Sequence, residues 1–301
     1  MTRTLDRRAD TLVPAAVLVG VTAIWGSTFV VIKDVTERVP VTDFLAVRFA
    51  IAALGLWLLA PWSVARLGPQ ARRRAVVLGV VYGAAQVLQT FGLTFVSASI
   101  SGFLTGLYVV LTPIIAAVLL RESIARATWL AVGLATAGVA VMSLNGLSIG
   151  LGELVTVLGA ASYALHIVLL GAWSKPGQAV GLAVVQMAVI SLLCGVAALP
   201  GGIVLPSTGV DWLVMLYVAL ASGALAMVAQ TWAQARLPAT RAAIIMTTEP
   251  VFASLFGVIV DGDPLTPRFL IGATLVMAAM YTAELGPRRS REGAVPHLPG
   301  E

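Results

Sequence analysis

Gln89-Thr90-Phe91-Gly92 and Gln230-Thr231-Trp232-Ala233 are near-copies that lie 141 residues apart, each inside an apolar segment of a 301-residue chain. The same offset places Tyr108 on Glu249 without a gap. A spacing that persists in this way indicates a duplicated unit. Because both copies lie in apolar surroundings, the duplicated unit is predicted to lie in a membrane.

The composition supports a membrane protein, because 59% of the residues are apolar and only 11% are charged. That is more hydrophobic surface than one soluble core could bury. The sequence contains ten apolar runs, each about as long as the 20 residues that cross a bilayer as a helix. The runs fall at 13–33, 42–61, 75–95, 98–119, 127–145, 151–172, 179–200, 210–231, 239–260 and 267–286. We therefore expect an all-α membrane protein with ten transmembrane helices.

Ten spans divide into two repeats of five, and an odd number of spans forces the second repeat to enter the membrane from the opposite side. The prediction is therefore a pair of inverted repeats related by a pseudo-two-fold axis in the membrane plane. We expect an N-terminal segment at 1–12, a first repeat at 13–145, a second repeat at 151–286 and a tail at 287–301.

The basic residues predict which side of the membrane each loop faces, since Lys and Arg concentrate in cytoplasmic loops. With the N-terminus inside, fifteen of the nineteen basic residues lie in inner segments, which also places the C-terminus inside. These fifteen are Arg3, Arg7, Arg8, Arg66, Arg72, Arg73, Arg74, Arg121, Arg126, Lys175, Arg236, Arg241, Arg288, Arg289 and Arg291. We expect a bacterial inner-membrane protein with both termini in the cytoplasm. The net charge of +5 follows from this bias and predicts no nucleic-acid partner.

Amide side chains within the spans are the first candidates for a binding site, because a polar group in the bilayer needs a partner, water or a function. Tyr82, Gln86 and Gln89 recur at spacings of four and three, and so share one face of the third span. Gln230 is the repeat counterpart of Gln89, and we expect the two to line one cavity. The alternative is that these amides only join helices, a contact worth about 1 kcal/mol.

Glu249 is the strongest single candidate, since it lies inside the ninth span directly before Pro250. Proline cannot donate to the carbonyl of Met246 and is expected to kink the helix there. A carboxyl group in that position suits proton coupling or recognition of a substrate amine. The alternative is a carboxyl that only stabilises helix packing. Its counterpart Tyr108 would supply a hydroxyl and an aromatic face to the same place.

Four further residues, His166, Trp25, Trp232 and Arg48, have two interpretations each. His166 lies three residues after Tyr163 in the sixth span, and is either a proton relay or a packing residue. Trp25 and Trp232 lie away from the expected interfaces and either contact a ligand or pack. Arg48 lies near the outer end of the second span, where we favour a side chain that extends toward the interface over one that binds a carboxylate.

Several motifs resemble those of one transporter family. They are Trp25-Gly26-Ser27-Thr28-Phe29, Arg48-Phe49 with Ala52, Ser97-Ala98, Gly102-Phe103-Leu104-Thr105-Gly106-Leu107-Tyr108, Arg121-Glu122, Glu249-Pro250 and Asp263. Together, over almost all of 13–286, they resemble the EamA type of the drug/metabolite transporter superfamily, which has two tandem five-helix repeats. In this chain Gly262-Asp263 replaces the usual Gly-Glu.

The resemblance implies a carrier that works by alternating access, with a central cavity lined by spans 1 to 4 and 6 to 9 and with spans 5 and 10 outside. Its relatives export amino acids and related metabolites, including aromatic amino acids. We therefore expect a small-molecule substrate, a lipid bilayer as surroundings, a monomer or homodimer, no cofactor and no enzymatic activity. The sequence has no P-loop, so that uphill movement would use a gradient rather than ATP.

Two alternatives remain open at this point. A drug or quaternary-ammonium efflux carrier would use Glu249 as the partner of the cation. A membrane-embedded enzyme acting on lipid or prenyl substrates is the alternative of another class, and would need clustered carboxylates or histidines. The acids inside the predicted spans do not cluster in sequence.

Overall fold

The computed structural model describes residues 2–120, 126–143, 150–175, 177–237 and 245–285. The Arg121-Glu122 motif, the beginning of the predicted ninth span and the predicted tail at 287–301 lie outside these residues. Within them the regular structure is helical and no strand occurs. The prediction of an all-α protein is confirmed for this part of the chain.

Twelve α-helices, one π-helical segment and a short 3-10 helix, Leu199–Gly201, make up the regular structure of the described residues. The first six are α1 Thr2–Thr36, α2 Val41–Leu59, α3 Pro69–Leu93, α4 Ala98–Gly106, α5 Tyr108–Leu120 and α6 Arg126–Ser143. The next four are α7 Leu151–Trp173, α8 Ala179–Ala198, α9 Gly209–Tyr217 and α10 Ala226–Gln234. The last two are α11 Glu249–Val260 and α12 Pro267–Leu285.

Seven stretches of the described chain are long and apolar enough to cross a membrane, and they coincide with predicted spans one to four and six to eight. Shorter apolar helices, Trp129–Val141 and Glu249–Val260, occupy parts of the predicted fifth and ninth spans. The predicted tenth span coincides with α12. The chain is therefore a multi-span membrane protein, and the full count of ten spans stays a prediction.

The third span begins earlier than its apolar run, which predicts a start at residue 75. Helix α3 begins at Pro69, and so includes the basic turn Arg72-Arg73-Arg74. Proline suits this first turn because its missing N–H would have no helical partner there. A hydropathy window detects the apolar part of a helix and misses a polar turn that continues it.

The fourth span is broken near its middle, where α4 ends at Gly106 and α5 begins at Tyr108. The ninth span has the same break: residues 245 and 246 are helical, 247 and 248 form a turn, and α11 begins at Glu249. Pro250 lies in the first turn of α11, where proline is tolerated. The two breaks lie 141 residues apart, which is the repeat offset. Tyr108 is the first residue after one break, and Glu249 is the first residue after the other.

The eighth span contains a π-helical segment, Val218–Leu225, between α9 and α10. A π segment widens the helical turn and is often found at functional sites. Helix α3, which corresponds to this span in the first repeat, is continuous α-helix over its 25 residues. The two halves of the chain therefore differ in backbone geometry at this point.

The helices pack in defined pairs: α2 on α8, α3 on α7, α4 on α11, α6 on α12, and α1 on both α10 and α11. Small residues allow the closest of these contacts, as is usual within membranes. Gly26 of α1 faces the backbone of Phe252 and Ala253 in α11, and Gly102 of α4 faces Ala253.

Candidate functional site

A cavity lies between the helices that meet around the breaks of the fourth and ninth spans. Its volume is about 50 Å³, measured as the space open to the centre of a water molecule, so that it holds a few water-sized groups. Spans 1 to 4, 6, 8 and 9 contribute to the wall. The lining residues are Trp25, Thr28, Phe29, Ile32, Arg48, Tyr82, Gln86, Gln89, Thr90, Leu93, Thr105, Tyr108, Tyr163, His166, Ile167, Ser222, Gln230, Met246 and Glu249.

Glu249 lies in the wall as a buried carboxyl group, with 5% of its surface exposed. The Tyr108 hydroxyl donates to its Oε2 atom at 2.9 Å and lies 3.2 Å from the carbonyl oxygen of Met246. Because Glu249 is the first residue of α11, its carboxyl is close to the positive end of a helix dipole. The breaks in the two spans therefore bring together the tyrosine and the glutamate that the repeat places at equivalent positions.

Arg48 is buried in the same wall with 2% of its surface exposed, so the expectation that it extends to the interface is wrong. Its Nη1 atom donates to Gln86 Oε1 at 3.4 Å and its Nη2 atom to Ser222 Oγ at 3.2 Å. The Phe49 ring covers the guanidinium, with its centroid 4.8 Å away. These partners lie on three different spans and hold the side chain in the interior, which the position of Arg48 along one span does not reveal.

The predicted amides lie in the cavity wall and two of them bond to tyrosines. Gln86 Nε2 donates to the Tyr82 hydroxyl at 2.9 Å, and the Tyr163 hydroxyl donates to Gln89 Oε1 at 2.6 Å. Gln230 lines the cavity and makes no side-chain hydrogen bond to the described residues. Its amide is thus available to a ligand or to water.

Three tyrosines and a histidine give the wall an aromatic surface. The Tyr163 ring lies 5.9 Å from that of Tyr82 and 6.4 Å from that of Tyr108, both in edge contacts. The His166 ring lies 4.9 Å from that of Tyr82. The Nε2 atom of His166 shares a hydrogen bond of 2.7 Å with Gln186 Oε1 on α8. This hydrogen bond fixes the orientation of the imidazole ring.

The two tryptophans have different surroundings. Trp25 lines the cavity and donates from Nε1 to the carbonyl oxygen of Ser222 at 3.1 Å. Trp232 does not line it; its ring lies 4.3 Å from the guanidinium carbon of Arg236, near Leu18. Trp232 follows Gln230 by two residues, which turns it about 200° away on the helix.

Nine of the ten predicted site residues therefore line one cavity. Some of the remaining lining residues follow from helical spacing, since Thr28, Phe29 and Ile32 lie three, four and seven residues after Trp25. Ser222 could not be found in this way, because it belongs to the π segment. Of the described residues, none on α6 or α12 lines the cavity, as expected for spans 5 and 10. None on α8 lines it either, so the expected contribution of span 7 to the wall is wrong for this structure.

Comparison with known proteins gives three findings. The profile of the EamA-like transporter family matches residues 13–144 and 150–283. A protein of Archaeoglobus fulgidus named "Uncharacterized transporter" is 29% identical over 267 residues, which are 88% of this chain and 83% of that protein. One crystal structure resembles the fold with a TM-score of 0.65 at 18% identity, covering 92% of this chain and 97% of the other.

Proposed function

The chain belongs to the EamA-like transporter family, and on this premise we propose that it is a secondary transporter of the bacterial inner membrane. It exports amino acids or related small amphiphilic metabolites by alternating access and without ATP. Both termini are cytoplasmic, and the ten spans form two inverted five-helix repeats.

The helix pairs support this architecture. In a two-fold arrangement of two five-span units, a span on the axis packs against its own counterpart in the other unit. Three pairs have this relation, because α2 contacts α8, α4 contacts α11 and α6 contacts α12. The contact of α3 (span 3) with α7 (span 6) has its counterpart in the contact of α10 (span 8) with α1 (span 1). Each of these pairs joins one half of the chain to the other.

The observation that carries the proposal is the contact of Tyr108 with Glu249 inside the shared cavity. Broken helices that meet where two repeats join are the usual site of substrate and ions in secondary transporters. An intramembrane carboxyl in such a place is costly and is typical of substrate or proton pathways. We therefore assign substrate binding to the cavity residues Trp25, Tyr82, Gln86, Gln89, Tyr108, Tyr163, His166, Gln230 and Glu249.

Transport can be tested with the full-length protein in proteoliposomes. We expect protein-dependent counterflow of one or more labelled amino acids from a broad metabolite panel, without added ATP. Flux that requires ATP, or no flux of any compound in the panel, would contradict the proposal. Liposomes without protein serve as the control for leakage.

A carrier of drugs or quaternary ammonium ions is the second candidate. The buried Glu249 carboxyl and the aromatic wall would suit an organic cation. The guanidinium of Arg48 in the same wall would repel it. Flux of a quaternary ammonium ion that exceeds the flux of every amino acid would favour this candidate.

A further inference from the structure

We infer that Arg48 binds a carboxylate of the transported substrate, so that compounds without a carboxylate are poor substrates. The inference rests on the proposed transport function and adds to it the residue that recognises one end of the substrate.

The charge of Arg48 has no counter-ion among the described residues. The ion pairs among these residues join Lys33 to Asp261 and Arg38 to two aspartates, and none includes Arg48. Its two hydrogen-bond acceptors, an amide and a hydroxyl oxygen, are neutral. Because an isolated buried charge costs several kcal/mol, this position favours an anion that enters the cavity.

The guanidinium is also held in place for such an anion. Gln86, one of its acceptors, is itself bonded to Tyr82. Ser222, the other, belongs to the π segment, and Trp25 donates to its backbone carbonyl. The Nε atom of Arg48 is buried and has no hydrogen-bond partner. A guanidinium with free donors in a fixed plane binds carboxylates through two parallel hydrogen bonds.

The second charged group of the cavity defines the rest of the ligand. Glu249 lies in the same wall, and no ion pair joins it to Arg48. One basic and one acidic group, in a wall that also carries the rings of Tyr82, Tyr108 and Tyr163, match a zwitterion with an apolar body. The carboxylate of the substrate would face Arg48 and its ammonium group would face Glu249.

The test compares amino acids with their primary amides, which keep the ammonium group and side chain but lose the carboxylate. Leucine and phenylalanine, each with its amide, are measured as competitors of counterflow in proteoliposomes. We expect the wild-type protein to bind each amide at least about tenfold more weakly, the loss that corresponds to one or two charge-assisted hydrogen bonds. In the Arg48→Met variant both forms bind weakly and differ less than about threefold.

Unfolding measurements and two further variants, Arg66→Met and Arg48→Lys, separate recognition from folding. Arg48→Met removes an unpaired buried charge, so that its unfolding temperature in detergent is equal to or above that of the wild type. Arg66→Met removes a basic residue exposed on the loop before α3 and keeps the full discrimination between acid and amide. Arg48→Lys keeps the charge but lacks the planar guanidinium group. Its discrimination between acid and amide should lie between those of the wild type and Arg48→Met.

Equal competition by acid and amide in a wild-type protein that transports both would overturn the inference and leave the transport function intact. If no compound is transported, the proposed function fails. Calorimetry of leucine binding to wild type and Arg48→Met in detergent then decides the inference, and equal affinities would refute it.

Discussion

The hydroxyl group of Tyr108 donates a 2.9 Å hydrogen bond to Glu249, the residue that stands at the same place in the second half of the chain. Each is the first residue after a break in its span, and both line the cavity. Symmetry-related positions can touch only close to the symmetry axis. The proposed two-fold axis therefore passes near this contact, and movements of the two halves around the axis would meet there.

Replacing Glu249 with glutamine tests proton coupling. The amide keeps the size of the side chain and an oxygen that accepts from Tyr108, but it cannot exchange a proton. We expect flux driven by an imposed pH gradient to fall to the level of empty liposomes. Uptake measured with and without an imposed pH gradient, at two pH values, gives the comparison, with Glu153→Gln, an acid at the beginning of α7 outside the cavity, as the control. A variant with unchanged pH dependence would exclude the coupling role.

Replacing Tyr108 with phenylalanine removes the hydroxyl but keeps the ring. The buried Glu249 carboxyl then loses its hydrogen-bond donor, which costs about 1–3 kcal/mol. We expect a lower unfolding temperature in detergent and slower counterflow. Tyr163→Phe, which loses only the bond to Gln89, should be less destabilised because Gln89 is partly accessible. Equal unfolding temperatures for the wild type and Tyr108→Phe would contradict this explanation.

Two glycines of α1 give a matched pair for helix packing. A Cβ atom at Gly26 would lie 2.7 Å from the backbone nitrogen of Ala253, whereas nothing lies within 4 Å of one at Gly20. We expect Gly26→Ala to destabilise the protein by about 1–3 kcal/mol through overpacking. Gly20→Ala should be neutral or stabilising by up to about 1 kcal/mol, since alanine favours a helix. Thermal unfolding of both variants tests this expectation. Similar unfolding temperatures for the two would argue against a close contact of α1 with α11.

Ion pairs connect the end of α1 to the second half of the chain, on the side that the proposed topology assigns to the outside. Arg38 Nη2 lies 2.6 Å from Asp211 and 2.6 Å from Asp34, and Lys33 Nζ lies 3.1 Å from Asp261. Hydrogen bonds to Asp34 and Asp211 raise the pKa of Arg38 further above its usual range, so that it stays charged in alkaline solution.

Removing the ion pairs of both Lys33 and Arg38 should open the cavity toward the outer side of the membrane. We expect the double variant Lys33→Gln and Arg38→Gln to increase labelling of a cysteine at position 89 by a membrane-impermeant thiol reagent severalfold. The background carries Cys194→Ala, which removes the only native thiol. Arg268→Gln is the control, because Arg268 bonds to the carbonyl of Val141 rather than to α1. Equal labelling rates would mean that these ion pairs do not restrict access.

Hydropathy and the repeat offset predict much of the fold, because a helix in lipid must be apolar over a fixed length. The predicted sixth span, 151–172, nearly coincides with α7, Leu151–Trp173. The same signals do not reveal where a helix is interrupted. The break before Tyr108 and the π segment around Ser222 depend on contacts between spans, which leave no periodic trace in the sequence.

The sequence predicts those residues of the site that are polar side chains within apolar spans. Gln89 and Glu249 stand out because each would be costly in lipid. Arg48 was assigned to the interface because its distance from the end of the span allowed a long side chain to reach water. Only the fold shows that Gln86, Ser222 and Phe49 surround its guanidinium.

The π segment Val218–Leu225 has a consequence for the energetics of the carrier. Two identical halves in inverted orientation would make the inward-open and outward-open conformations equivalent by two-fold rotation and equal in free energy. In this chain Ser222 and Arg48 have Val81 and Val189 as their repeat counterparts, so that the halves are chemically unlike at the cavity. The degeneracy of the two conformations is therefore lifted, and the empty protein is expected to rest with its opening toward one side of the membrane.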